Sequence, residues 1–176
     1  LLATPSRWGN LVAGSPKIPS IFCSVTPEAQ MQRADGTPVI GPLGPLASVH
    51  HPVTFDFFCS SIERMLRIAP FAGIVWDELK ALDAMDYSPA ARAALATTVI
   101  DDPTAHVDAF CDFFDRVGEE AKRMQAGLQL SAFVYGHLSG YRAERPARMK
   151  LLDEYGCDGR PYRAEDNGGN DSGATR

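Results

Sequence analysis

The sequence has no run of basic residues, and its 17 Lys and Arg against 22 Asp and Glu leave a net charge of −5. That balance argues against nucleic acid or an anionic membrane surface as a partner. No apolar stretch approaches the ~20 residues that a bilayer-spanning helix needs. The four cysteines, Cys23, Cys59, Cys111 and Cys157, form no C-x-x-C pair and no Cys/His cluster. This spacing gives no metal-site pattern and suits free, buried thiols, which favours the cytoplasm. G-x-G-x-x-G, P-loop and G-x-S-x-G patterns are all absent, so no cofactor is expected and neither nucleotide nor serine-hydrolase chemistry is signalled. Internal repeats are absent too. The chain starts at Leu1 with neither Met nor a basic-then-apolar leader.

What is present is ordinary for a globular protein. The 176 residues, 45% apolar and 22% charged, fit one domain with a substantial core. The tail "AEDNGGNDSGATR" has no core-forming residue, and 163–176 reads as flexible. The whole chain, 1–176, is expected to be a fragment of a larger unit.

The order of elements is read from periodicity and punctuation. Lys17–Pro27, "KIPSIFCSVTP", is an apolar run bounded by prolines and predicts a buried strand. Asp35-Gly36 between Met31–Arg33 and Val39–Ile40 reads as a small hairpin or an extended excursion. From Val53 to Ala69 the spacing of Phe58, Ile62, Met65, Leu66 and Ala69 predicts a helix that Pro70 closes. "AGIVW" is then a strand. Ser88-Pro89 starts a short helix, with Ser as cap and Pro in the first turn. A longer helix begins near Thr104 and stops at Gly127, with Val107, Phe110, Phe114, Val117, Ala121 and Met124 on one face. "LQLSAFVYG", 128–136, is a third strand, and a final amphipathic segment covers 146–155. Alternating strands and helices imply an α/β fold of parallel βα units. A compact doubly wound sheet and part of a TIM (β/α)8 barrel both remain. The long excursions after each strand fit part of a barrel better.

In either case ligands sit beyond the carboxyl ends of the strands. The end of "GIVW" offers Trp76, Asp77, Glu78 and Lys80, and the end of the next strand offers Tyr135, His137 and Tyr141. Aromatics beside carboxylates suit a sugar, whose C–H faces stack on rings while acids handle hydroxyls and the glycosidic oxygen. Glu78 is the candidate general acid, its pKa raised by the neighbouring charge and by Trp76. Asp77 is its ionised partner. Both can serve one site only if the backbone turns there, because adjacent strand residues face opposite ways. The bland alternative has Glu78 and Lys80 solvated and Asp77 capping a turn. His50, in the loop "SVHHP", is a candidate for the mouth of the site, and Arg160, in "GCDGRPY", for a fork onto a carboxylate or a substrate oxygen. His106 reads as a surface or boundary residue.

"GIVWDELK" resembles the strand ends of (β/α)8-barrel glycoside hydrolases, where Gly-apolar-apolar-aromatic leads into an acidic pair. Hexosaminidase-type enzymes are similar in using an Asp-Glu pair at a strand end. By that resemblance Glu78 is the acid/base and Asp77 positions the substrate; from their places at strand ends and loops, Trp76, Lys80, Tyr135, His137, His50 and Arg160 are the expected lining of the sugar site. Trp76 stands where the hexosaminidase pattern has a glycine, so an ordinary two-carboxylate mechanism would call on a further acid. The implied function is hydrolysis of a glycosidic bond in a carbohydrate, with no metal. Two other readings stay open. One is a non-catalytic carbohydrate-binding or degenerate barrel domain, the other a metal-dependent barrel isomerase or hydrolase. The sequence does not reveal the oligomeric state.

Overall fold

The computed structural model describes residues 2–3, 21–41, 44–69, 71–76, 79, 82, 84–95, 97, 99–135 and 140–158. A four-stranded sheet carries the fold. Strand β1 (Leu2–Ala3) is followed by a five-residue helix α1 (Ile21–Val25) and a 3-10 turn at Pro27–Ala29. A small antiparallel pair follows, β2 (Ile40–Gly41) with β3 (Gly44–Pro45). Then come α2 (Pro52–Ile68), β4 (Gly73–Trp76), α3 (Pro89–Ala94), α4 (Pro103–Met124), β5 (Gln129–Tyr135), α5 (Tyr141–Glu144), a 3-10 turn at Pro146–Arg148 and β6 (Glu154–Asp158). The sheet order is β1-β4-β5-β6, and every neighbouring pair is parallel. The chain is therefore α/β, built from parallel βα units in sequence order.

Two expectations change. Residues 21–25, read as strand, form a helix in which Phe22 and Cys23 are buried while Val25 is 73% exposed. A short apolar run carries no period, and burial on one side only is what a helix turn provides. Residues 146–155, read as one amphipathic segment, split into the 3-10 turn and the start of β6. Pro146 allows a first turn, but the segment ends in the extended "EYGCD" that pairs with β5 along Ser131↔Glu154 to Tyr135↔Asp158. The hairpin turn at Asp35-Gly36 is present. Gly36 sits at φ +84°, and Arg33 and Thr37 are bonded across it.

The core lies on one side of the sheet. Ile74 and Trp76 of β4, with Leu130, Ala132 and Val134 of β5, pack against Phe58 and Ile62 of α2 and Phe110, Phe113, Phe114 and Val117 of α4. Alternation along the strands puts Val75, Ser131 and Phe133 on the other face. Two close approaches need glycine. A Cβ on Gly73 would lie 2.7 Å from the Gln129 carbonyl oxygen, so the β4–β5 seam closes only without a side chain there. A Cβ on Gly118 would lie 2.7 Å from Leu130 Cδ1, and its absence lets α4 settle onto β5.

The outer side of α4 anchors the return to β6. Arg145 bonds Asp108 at 2.7 Å and Asp112 at 2.6 Å, and Asp115 accepts the N–H groups of Lys150 and Leu151. An acidic stripe along α4 is thus used within the chain, to dock 141–151.

Candidate functional site

The carboxyl ends of β4, β5 and β6 lie at one edge of the parallel sheet, where such folds place ligands. Strand β4 stops at Trp76, and three residues later Leu79 has a φ of +32°. For a leucine this backbone is unfavourable, by about 1–2 kcal/mol. Its side chain is 2% exposed, and Leu82 is 3% exposed, both within the main core. Burying the two leucines offsets the strain at Leu79. Asp77, Glu78 and Lys80 fall in this stretch and lie outside the described residues, as do His137 and Arg160. The backbone of Tyr135 closes β5 in register with Asp158, the last residue of β6. That strand end was not legible as one, because "GCDG" reads as a turn.

Trp76 does not stand where a sugar could stack on it. It is 1% exposed, on the helix side of the sheet, with its ring 5.1 Å from that of Phe114. The strand alternation that turns Ile74 toward the helices turns Trp76 there too. His50 is half-buried, its N–H donates to Ser48 Oγ at 3.3 Å, and its ring stands edge-on to His106 at 6.4 Å. Tyr141 donates its hydroxyl to Asp108 at 2.6 Å and, with Arg142, Pro103, Thr104 and Val107, lines a groove of about 170 Å³.

The feature that sequence reading missed is a buried polar cluster. The buried polar side chains among the described residues are Ser48, Thr54, Asp86, Ser88, His106 and Ser131, and Ser48, Asp86, Ser88 and His106 are joined by hydrogen bonds. There the approach to α2, the loop after β4 and the first turn of α4 meet. His106, read as a surface or boundary residue, is 5% exposed. Its Nδ1 accepts the Asp86 N–H at 3.3 Å, which assigns the proton to Nε2, and Nε2 donates to the Ile100 carbonyl at 2.7 Å. Asp86 Oδ1 accepts the N–H groups of Gln32 and Ser88 at 3.3 and 2.8 Å. Ser88 caps α3 by accepting from Ala91 N–H and also reaches Ser48 Oγ at 3.3 Å. Asp86 Oδ2, Thr54 Oγ1 and His51 Nδ1 have no partner among the described residues. One signal was available: Asp-x-Ser-Pro is an acceptor two residues before a helix cap. What it could not show was that the acceptor is buried.

Serine, histidine and aspartate here do not make a nucleophilic triad. Both ring nitrogens of His106 are engaged by main-chain groups, so neither can take a proton from a serine hydroxyl. Thiol chemistry is also disfavoured. Burial pushes the Cys111 thiol up to about 12 and the Cys59 thiol up to about 11, which keeps both protonated at neutral pH. Among the described residues, no group of three or more His, Cys, Asp or Glu side chains could hold a metal ion.

No family model matches the chain, and no curated protein matches its sequence. Solved structures do match its fold. A variant of the GH36 alpha-galactosidase AgaA from Geobacillus stearothermophilus, in complex with raffinose, superposes with a TM-score of 0.51 at 12% identity. That match covers 77% of this chain and 17% of the other. Another AgaA variant, in complex with 1-deoxygalactonojirimycin, superposes with a TM-score of 0.44 at 13% identity, covering 65% of this chain and 15% of that one. The first of these matches spans under a fifth of that enzyme's length, and over the matched part the two folds are similar.

Proposed function

We propose that the chain is part of a (β/α)8-barrel glycoside hydrolase that cleaves a carbohydrate by carboxylate general acid/base catalysis. The single observation that supports this reading is the end of β4. A strand buried on both faces stops at Trp76, the acidic pair follows at once in the sequence, and Leu79 just after the pair stands at φ +32°. A turn there is what lets Asp77 and Glu78 serve one site. Glu78 is the acid/base and Asp77 the ionised partner that orients the substrate or stabilises developing positive charge. Tyr135, His137, Lys80, His50 and Arg160 are the proposed lining. Trp76 supports the strand end from below. Asp158, ending β6 two strands away, is a candidate for the further acid of a two-carboxylate mechanism. The fold likeness to an alpha-galactosidase makes α-galactosides the first substrates to try.

Glu78→Gln in the whole protein is the test. It should lower turnover of an aryl α-galactoside, or whichever aryl glycoside is cleaved, by about 10²-fold or more, with the thermal transition retained. Turnover equal to the parent protein would reject the assignment. Sugar binding by calorimetry without turnover of any glycoside would favour the carbohydrate-binding alternative.

A further inference from the structure

Residues 29–48 and 84–88 are distant in sequence and meet along one short seam. Tyr87 N–H donates to the Gln32 carbonyl at 2.8 Å. In a strand pair the return bond from Gln32 N–H would reach a main-chain carbonyl. Here it reaches Asp86 Oδ1, at 3.3 Å, and the same oxygen takes Ser88 N–H at 2.8 Å. The Ser88–Ser48 hydroxyl contact closes one end of the seam, and Met31 and Leu46 pack with Val39 and Ala84 beside it. His106 holds the Asp86 N–H from α4.

A carboxyl group 1% exposed is a poor device for stability alone, because taking it out of water opposes folding. Its use lies in geometry: one oxygen fixes two amides from different segments. We propose that Asp86 is the positioning residue that ties 84–88 to 29–48, so that these two segments hold as one body behind the end of β4. The proposal rests on the glycosidase reading for what the end of β4 carries, Asp77 and Glu78.

Amide hydrogen exchange on the parent protein, Asp86→Ala and Asp86→Asn decides it. Gln32 and Ser88 amides bond Asp86 directly, whereas the Tyr87 amide bonds only the Gln32 carbonyl, so Tyr87 reports whether the loops part. In Asp86→Ala all three should exchange at least about tenfold faster while β5 amides are unchanged. Asn, which keeps the acceptor oxygen, should restore Tyr87. On a cleaved aryl glycoside, Asp86→Ala should lower kcat about tenfold or more with KM within about threefold, and Asn should recover most of it. Protection of Tyr87 in Asp86→Ala, or exchange rising equally through β5, overturns the proposal. So does an unchanged kcat once the loops have parted. If the parent protein cleaves no glycoside, the glycosidase reading fails by itself, and the Tyr87 result alone then supports or overturns the clasp.

Discussion

Two regions of this chain are equally shut off from water and are built of opposite materials. Under the sheet, Phe58, Phe110, Phe113 and Phe114 interlock with Trp76 in a cluster of apolar side chains. At the carboxyl edge, Ser48, Asp86, Ser88 and His106 fill the interior with donors and acceptors. Apolar packing is non-directional and scales with area, so the first region supplies stability with little instruction about exact placement. Hydrogen bonds are directional, and an unmet partner is costly, so the second region supplies placement with little net stability. A fold that must hold loops at a strand end needs both, and this one keeps them apart.

The contrast can be broken from either side. Phe114→Ala empties the centre of the aromatic cluster and should cost about 3–5 kcal/mol in denaturant unfolding. A result below 1 kcal/mol would show that the aromatic cluster is not the stabilising region. Gly73→Ala should cost about 1–3 kcal/mol, since the new methyl meets the Gln129 carbonyl rather than a movable side chain. In the polar region Ser88→Ala removes a helix cap and the Ser48 contact, with an expected loss of about 1–2 kcal/mol. Thr54→Val sharpens the comparison, for Thr54 is fully buried and its hydroxyl has no partner among the described residues. Replacing that hydroxyl with a methyl should raise stability by about 1 kcal/mol, and a fall of that size would show that the hydroxyl is bonded in solution.

The smallest effect concerns acid. The Lys122 ammonium, with the Leu130 N–H, holds the Asp153 carboxyl below the usual carboxylate range, and Thr104 does the same for Asp102 at the cap of α4. Folded values below the unfolded ones mean these groups stabilise the fold above the ordinary carboxylate pKa of about 4. That contribution is lost as pH falls through the lower folded values. Asp153→Asn should therefore lower the melting temperature at pH 7 and flatten its decline below pH 4. An unchanged acid limb would remove Asp153 from the account.

How much of this was legible in the sequence follows the same division. The helical spacing of Phe58, Ile62 and Met65, and of Val107, Phe110, Phe114 and Val117, marks α2 to within a residue and α4 to within three, because one apolar face repeats over many turns. "GIVW" was readable as a strand for want of room to be anything else. Residues 21–25 read as strand because so short a run carries no period, and β6 was missed because its pairing partner β5 supplies what its own sequence does not. Trp76 was assigned to the site because alternation fixes its face only once Ile74 is known to meet α4. Asp86 and His106 were passed over for a different reason. Their importance comes from contacts between segments, such as Gln32 with Asp86, that no local pattern encodes.

Trp76 also has an optical consequence. The chain has two tryptophans, Trp8 and Trp76. With Trp8 replaced by Phe, all indole emission would come from a ring 1% exposed, one residue before the acidic pair, with no partner for its Nε1 among the described residues. Such a fluorophore emits toward the blue and shifts red when water reaches it. The strand end therefore contains its own reporter, able to register local opening beneath Asp77 and Glu78 before the rest of the sheet gives way.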